Sequence, residues 1–125
     1  MEFLVRMGLL YDFYANLLTK KQQKVFALYY LQNFSLAEIA EEEGTTRQAV
    51  HDLLQRTEKL LERWEDKLRL LEQYLQNKKM MQEMCCALKK LSGLLCKDDE
   101  VQDAFANVQR IFEQLASILE IEIAE

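Results

Sequence analysis

Proline is absent from this chain, and glycine occurs only at Gly8, Gly44 and Gly93. A fold rich in tight turns is hard to build from it, because most turns rely on glycine's positive φ or proline's preset one. Between Gly44 and Gly93 neither residue interrupts the sequence. Apolar side chains meanwhile recur at steps of three and four, the helical period. The chain is therefore expected to be all-α, and with 50% of its 125 residues apolar it can bury a core.

The stretch 35–61 organises the rest. Ser35 can cap a helix, and Glu38 can reach back to complete a capping box. Ile39 and Ala40 face inward, and Ala40 is small enough for two helices to cross closely. Gly44 can end that helix, and Thr45 restarts the chain with Gln48 three positions on, again at capping-box spacing. Val50, Leu53 and Leu54 supply the buried side of the second helix. This spacing predicts a helix-turn-helix.

In chain order, a first helix is expected over 2–17, with Phe3, Met7, Leu10, Tyr14 and Leu17 on one stripe. A second runs from Thr19, with Gln22 in box position, to about Gln32. Lys20, Lys21 and Lys24 cluster at its start, the end of a helix that repels cations. They suit either phosphate or partner contact, or a solvated face.

The helix begun at Thr46 meets no obvious stop before Asn77, which would make it roughly 48 Å long. Along it Leu54, Thr57, Leu61, Trp64, Leu68, Leu71 and Leu75 form a heptad seam. Residues 78–95 place Met80, Met84, Leu88, Leu91 and Leu95 on one face. Asp99, with Gln102, can cap a last helix carrying Val101, Phe105, Val108, Phe112, Leu115 and Leu119. The expected organisation is thus a helical domain at 1–76 and a C-terminal helical hairpin at 77–125 that packs on the long helix and on a second subunit. Leu61, Trp64, Leu68, Leu71, Leu75, Phe105, Phe112, Leu115 and Leu119 are the expected dimer or partner interface, and the chain is expected to be a homodimer.

Charge narrows the function. The net charge is −5, and residues 1–76 hold 10 basic and 12 acidic side chains against 6 and 9 in 77–125. No segment has the cationic bias of a nucleic-acid-binding tail. No basic stretch followed by a long apolar run opens the chain, and no apolar run is long enough for a membrane, so a cytoplasmic protein without membrane insertion is expected. Cys85 and Cys86 point to different sides of a helix, and Cys96 lies roughly 16 Å beyond Cys85 along one, too far for a bridge. Reduced, packed thiols are expected, and neither a metal nor a cofactor, because the single His51 has no finger-like spacing to the cysteines. No phosphate-cradling glycine loop or partnered nucleophile is present, so an enzyme is not expected.

On the outward side of the second helix of the pair lie Thr46, Arg47, Gln48, His51, Gln55 and Arg56. Arg and Gln suit bidentate contacts with guanine and adenine edges. Against them stand Asp52 and the Glu41-Glu42-Glu43 run, whose carboxylates repel phosphate. DNA binding and a helix-turn-helix used for protein contacts both remain open on this chemistry.

Residues 19–61 resemble the fourth region of bacterial sigma factors, a helix-turn-helix that reads promoter DNA. SLAEIA at 35–40, RQAV at 47–50, Asp52 and RTEKLL at 56–61 resemble more closely the YlxM-type family of small bacterial helix-turn-helix proteins. The resemblance implies a regulatory role linked to the signal recognition particle pathway, because family genes commonly lie beside those of that particle's GTPase and its receptor. Components of the particle are therefore expected partners beside DNA. It also implies that Arg47, Gln48 and His51 occupy base-facing positions, although the family more usually has Ser at the place of Thr46 and Tyr at the place of His51.

Overall fold

Six α-helices are present in the computed structural model, which describes residues 2–122. They are α1 (Phe3–Tyr14), α2 (Lys20–Tyr30), α3 (Leu36–Glu43), α4 (Arg47–Leu68), α5 (Leu70–Leu94) and α6 (Asp99–Ile118), with a 3-10 turn at Ala15–Leu17. No strand occurs among the described residues, so the fold is all-α. The chain divides into two compact units, Met1–Leu71 and Glu72–Glu125.

In the first unit the short helices begin where local chemistry dictates. Thr19 Oγ1 accepts the Gln22 N–H at 3.2 Å while Gln22 Oε1 accepts the Thr19 N–H at 3.0 Å. Ser35 and Glu38 make the same reciprocal pair at 3.1 and 3.2 Å. Each box satisfies two backbone donors that a helix start leaves free. Asn33, at φ 59, turns the chain from α2 into α3.

Gly44 ends α3 in the left-handed region at φ 66. The Thr45 N–H then closes back on the Ala40 carbonyl at 3.0 Å, the longer bond of a Schellman ending. Thr45 is thereby tied to the helix before it. The cap of α4 falls instead to Thr46, whose hydroxyl accepts the Ala49 N–H at 3.1 Å, which corrects the expected restart at Thr45 by one residue. A Cβ at position 44 would meet no atom within 4 Å. Gly44→Ala should therefore cost only the backbone penalty of that conformation, about 1–2 kcal/mol, read as a lower urea midpoint with unchanged slope.

α4 packs against α1, α2 and α3 alike. Its inward side carries Val50, Leu54, Thr57, Leu61 and Glu65, all buried. Facing them are Met7, Leu10 and Tyr14 of α1, Val25, Phe26 and Leu28 of α2, and Ile39 and Ala40 of α3. Thr57 lies fully inside and donates its hydroxyl to the Leu53 carbonyl at 2.8 Å, so this hydroxyl is not stranded. At the rim Arg6 grips Glu62 through two 2.7 Å hydrogen bonds, clamping α1 to α4. That bond holds the Glu62 carboxyl below its usual range.

The helix expected from Thr46 to Asn77 is in fact two. α4 stops at Leu68 and Arg69 takes a left-handed conformation at φ 55 before α5 begins. A buried polar knot explains the break. The Tyr14 hydroxyl donates to Glu65 Oε1 at 2.7 Å and accepts the Leu70 N–H at 3.2 Å, while the same Glu65 oxygen accepts the Leu71 N–H at 3.0 Å. Two donors at the start of α5 thus find side-chain acceptors in place of the Asp66 and Lys67 carbonyls that a continuous helix would give them.

The second unit is built around α5 and α6. Its core is Met81, Cys85, Phe112, Ala116 and Ile121, with Tyr74, Leu88 and Leu119 packed against it. The face of α5 that is used overlaps the expected one at Leu88 but is otherwise turned round by one residue: Met81 and Cys85 are buried, whereas Met80, Met84 and Leu91 are exposed. Asp98, not Asp99, caps α6 by accepting the Glu100 N–H, and Gln102 bonds the Cys96 carbonyl instead of completing a box. Of the three thiols Cys85 is packed inside as expected, whereas Cys86 and Cys96 are exposed, which corrects the expectation that all would be packed. No described helix is long and apolar enough to cross a membrane.

Candidate functional site

The first three turns of α4 present a polar surface because its buried residues face the other way. Val50, Leu54 and Thr57 anchor one side in the core. Arg47, Gln48, Gln55 and Arg56 are exposed on the other, and His51 is half-buried. Thr46, the cap, sits at the tip. Gln48 donates its amide to Asp52 Oδ1 at 2.9 Å, and Arg56 Nε approaches the Asp52 carbonyl at 3.4 Å. His51 Nδ1 lies 3.7 Å from Asp52 Oδ1, too far for a hydrogen bond, and this buried nitrogen has no hydrogen-bond partner among the described residues. Neither Arg47 nor Arg56 is in an ion pair among the described residues.

The three lysines of α2 part company. Lys24 pairs with Glu43 at 2.9 Å across to α3, and this contact raises the lysine's pKa. It also cancels one charge of the Glu41-Glu42-Glu43 run. Lys20 is exposed, and Lys21 lines a groove with Arg56. So the structure joins Lys21 to the recognition helix and commits Lys24 to a carboxylate.

Two further cations, Lys59 and Arg63, line that groove. They follow Arg56 at steps of three and four, the spacing of one helical stripe. That signal was present in the sequence, and the apolar seam on the opposite side of the helix obscured it.

The residues expected at an interface are divided in the same way. Leu61, Leu71, Phe105 and Phe112 are buried within the chain itself. Trp64, Leu75 and Leu119 are half-buried, and Leu68 and Leu115 are exposed at 51% and 42%. The first four are occupied in intrachain packing, so they cannot also face a partner without opening the core. In the second unit Met80, Met84, Val108, Ile111 and Ile118 are exposed beside Leu115, the one exposed member of the expected set there.

Comparison with known proteins agrees with this architecture. Residues 1–101 match the family described as "Putative helix-turn-helix protein, YlxM / p13 like". A UPF0122 protein of Listeria welshimeri is 43% identical over 106 residues, covering 85% of this chain and 94% of that protein. Another, from Listeria monocytogenes, is 42% identical over 106 residues with the same coverage. A third, from Bacillus mycoides, is 41% identical over 115 residues, 92% of this chain and 98% of its own length. With the match running through α1 to α5 and into the first turn of α6, the chain belongs to the YlxM / p13-like helix-turn-helix family.

Proposed function

We propose that this chain is a non-enzymatic, cytoplasmic regulatory protein that binds DNA through the first turns of α4 and takes part in the signal recognition particle pathway. One observation carries the DNA reading: the outward side of α4 from Arg47 to Arg56 holds hydrogen-bonding and cationic groups, and its exposed arginines are in no ion pair among the described residues. Arg47, Gln48, His51 and Gln55 then face base edges, while Arg56, Lys20 and Lys21 face phosphates. Lys24 is the weakest of the expected contacts, since Glu43 already holds it. The link to the signal recognition particle rests on family resemblance.

The test is fluorescence anisotropy of a labelled random-sequence duplex titrated with protein at low and moderate salt. Affinity should fall steeply with salt, and removing Arg47 and Arg56 together should weaken binding about tenfold or more and flatten the salt slope by about one per lost phosphate contact. Absence of binding at low salt would overturn the DNA reading.

A second reading has its own support. Phe3, Leu4 and Val5 of α1 are all more than half exposed, an apolar cluster that suits a protein partner. On that reading the chain is an adaptor of the signal recognition particle and its GTPase. The exposed apolar side chains of α5 and α6 support a homodimer, which sedimentation equilibrium would detect as a doubled mass.

A further inference from the structure

Between the start of α2 and the middle of α4 runs a groove of about 380 Å³. Its floor is Leu53 and Leu60, and its rim is Lys21, Arg56, Lys59 and Arg63, with no carboxylate among the lining residues. Of the carboxylates near in sequence, Asp52 accepts the Gln48 amide, Glu58 accepts the Tyr30 hydroxyl and Glu62 holds Arg6. Glu58, Glu62 and Asp66 line a neighbouring groove that Lys59 and Arg63 also border. None of the four rim cations is in an ion pair among the described residues. The first turn of α2 also lacks an acidic residue, so Lys21 sits at the end of a helix that repels it. An anion in the groove would relieve several like-charge interactions at once.

The apolar floor decides which kind of anion fits. A phosphate backbone gains nothing from two leucines, whereas an apolar side chain placed on them leaves water while flanking carboxylates meet the rim. From Leu53 to Arg63 the groove follows α4 for roughly 15 Å, about three turns of a helix laid along it. We propose that this groove binds a short acidic amphipathic helix of a partner protein, with its apolar side chains on Leu53 and Leu60 and its carboxylates against Lys21, Arg56, Lys59 and Arg63. The site goes beyond the DNA reading. Lys21 and Arg56 belong to both surfaces, whereas Lys59 and Arg63 lie outside the proposed DNA contacts.

The test uses the full chain and three labelled probes. These are a peptide of about 12 residues built from Glu, Ala and Leu with Leu at helical spacing, the same peptide with each Leu replaced by Ser, and the random-sequence duplex. The Leu peptide should bind at low salt and the Ser peptide at least about tenfold more weakly, about 1.4 kcal/mol. The variant carrying Lys59→Glu and Arg63→Glu should lose the Leu peptide by a similar factor, while Arg47→Ala leaves peptide binding unchanged and weakens the duplex. Circular dichroism checks the fold, and Lys59→Ala with Arg63→Ala replaces the reversal if it unfolds. Equal binding of Leu and Ser peptides, or no peptide binding at low salt, would overturn the proposal. So would a charge-reversal variant that loses the duplex and keeps the peptide, because the groove would then track phosphates. Failure of the DNA reading shows separately, as a duplex that Arg47→Ala does not affect.

Discussion

Replacing Glu65 with Ala is expected to destabilise the first unit by about 3 kcal/mol, because two buried donors lose their acceptor together and each costs about 1–3 kcal/mol when stranded. Those donors are the Tyr14 hydroxyl and the Leu71 N–H, both on the same Glu65 oxygen. Glu65→Gln keeps a carbonyl oxygen there and should cost less than half as much. The measurement is urea unfolding followed by Trp64, the sole tryptophan, whose ring lies 6.3 Å from that of Tyr14 and so reports on this unit.

The same knot gives a pH dependence. Burial, and then the hydrogen bond to Glu65, push the Tyr14 pKa up to about 12 from its ordinary 10.0. Below pH 10 the phenol is protonated both folded and unfolded, so its contribution is complete. As pH rises through 12 the unfolded chain releases the proton first, and stability falls. Tyr30, raised by burial and by Glu58, adds to the loss in the same direction. Tyr14→Phe should flatten the alkaline limb of the stability profile, and Glu65→Gln should flatten it only partly, because burial is the larger cause.

The second large effect is expected at Phe26. This side chain is fully buried and lies between two rings, stacked at 5.0 Å on Tyr11 and at 4.4 Å on Tyr30. Phe26→Ala removes the ring from the wall between α1 and α2 and leaves a cavity, at a cost of about 3–5 kcal/mol. For a unit of this size that approaches the whole stability. Trp64 fluorescence should show the first unit unfolded or nearly so at 37 °C, and Phe26→Leu should recover more than half of the loss.

These two sites show what sequence can and cannot disclose. Capping boxes at Thr19 and Ser35, and the positive φ at Gly44, were legible because each depends on side chains within four residues. The break at Arg69 was not. Arginine is a poor marker of left-handed backbone, and the stop is imposed by Tyr14, 55 positions upstream of it. On α5 the expected face, from Met80 to Leu95, was drawn as a regular helical stripe. The real core keeps Leu88 from that stripe but otherwise uses Tyr74, Met81 and Cys85, because Phe112 and Ala116 of α6 determine which side is covered. For the candidate site, the outward set from Arg47 to Arg56 could be read directly, since Val50 and Leu54 fix the opposite side. The pairing of Lys24 with Glu43 and the joining of Lys21 to Lys59 and Arg63 needed the crossing of α2, α3 and α4.

The knot at Glu65 also sets a moment in the life of the chain. Its last participant is Leu71, the residue at which the first compact unit closes. Domains assemble from the N-terminus during synthesis, at about 5–20 residues per second. Once residue 71 has cleared the ribosome, the recognition end of α4 has every helix it leans on, whether or not the remainder has been made. The first unit is thus complete seconds before the rest of α5 and α6 has been made, so the proposed DNA contact and the proposed subunit pairing are separable in time.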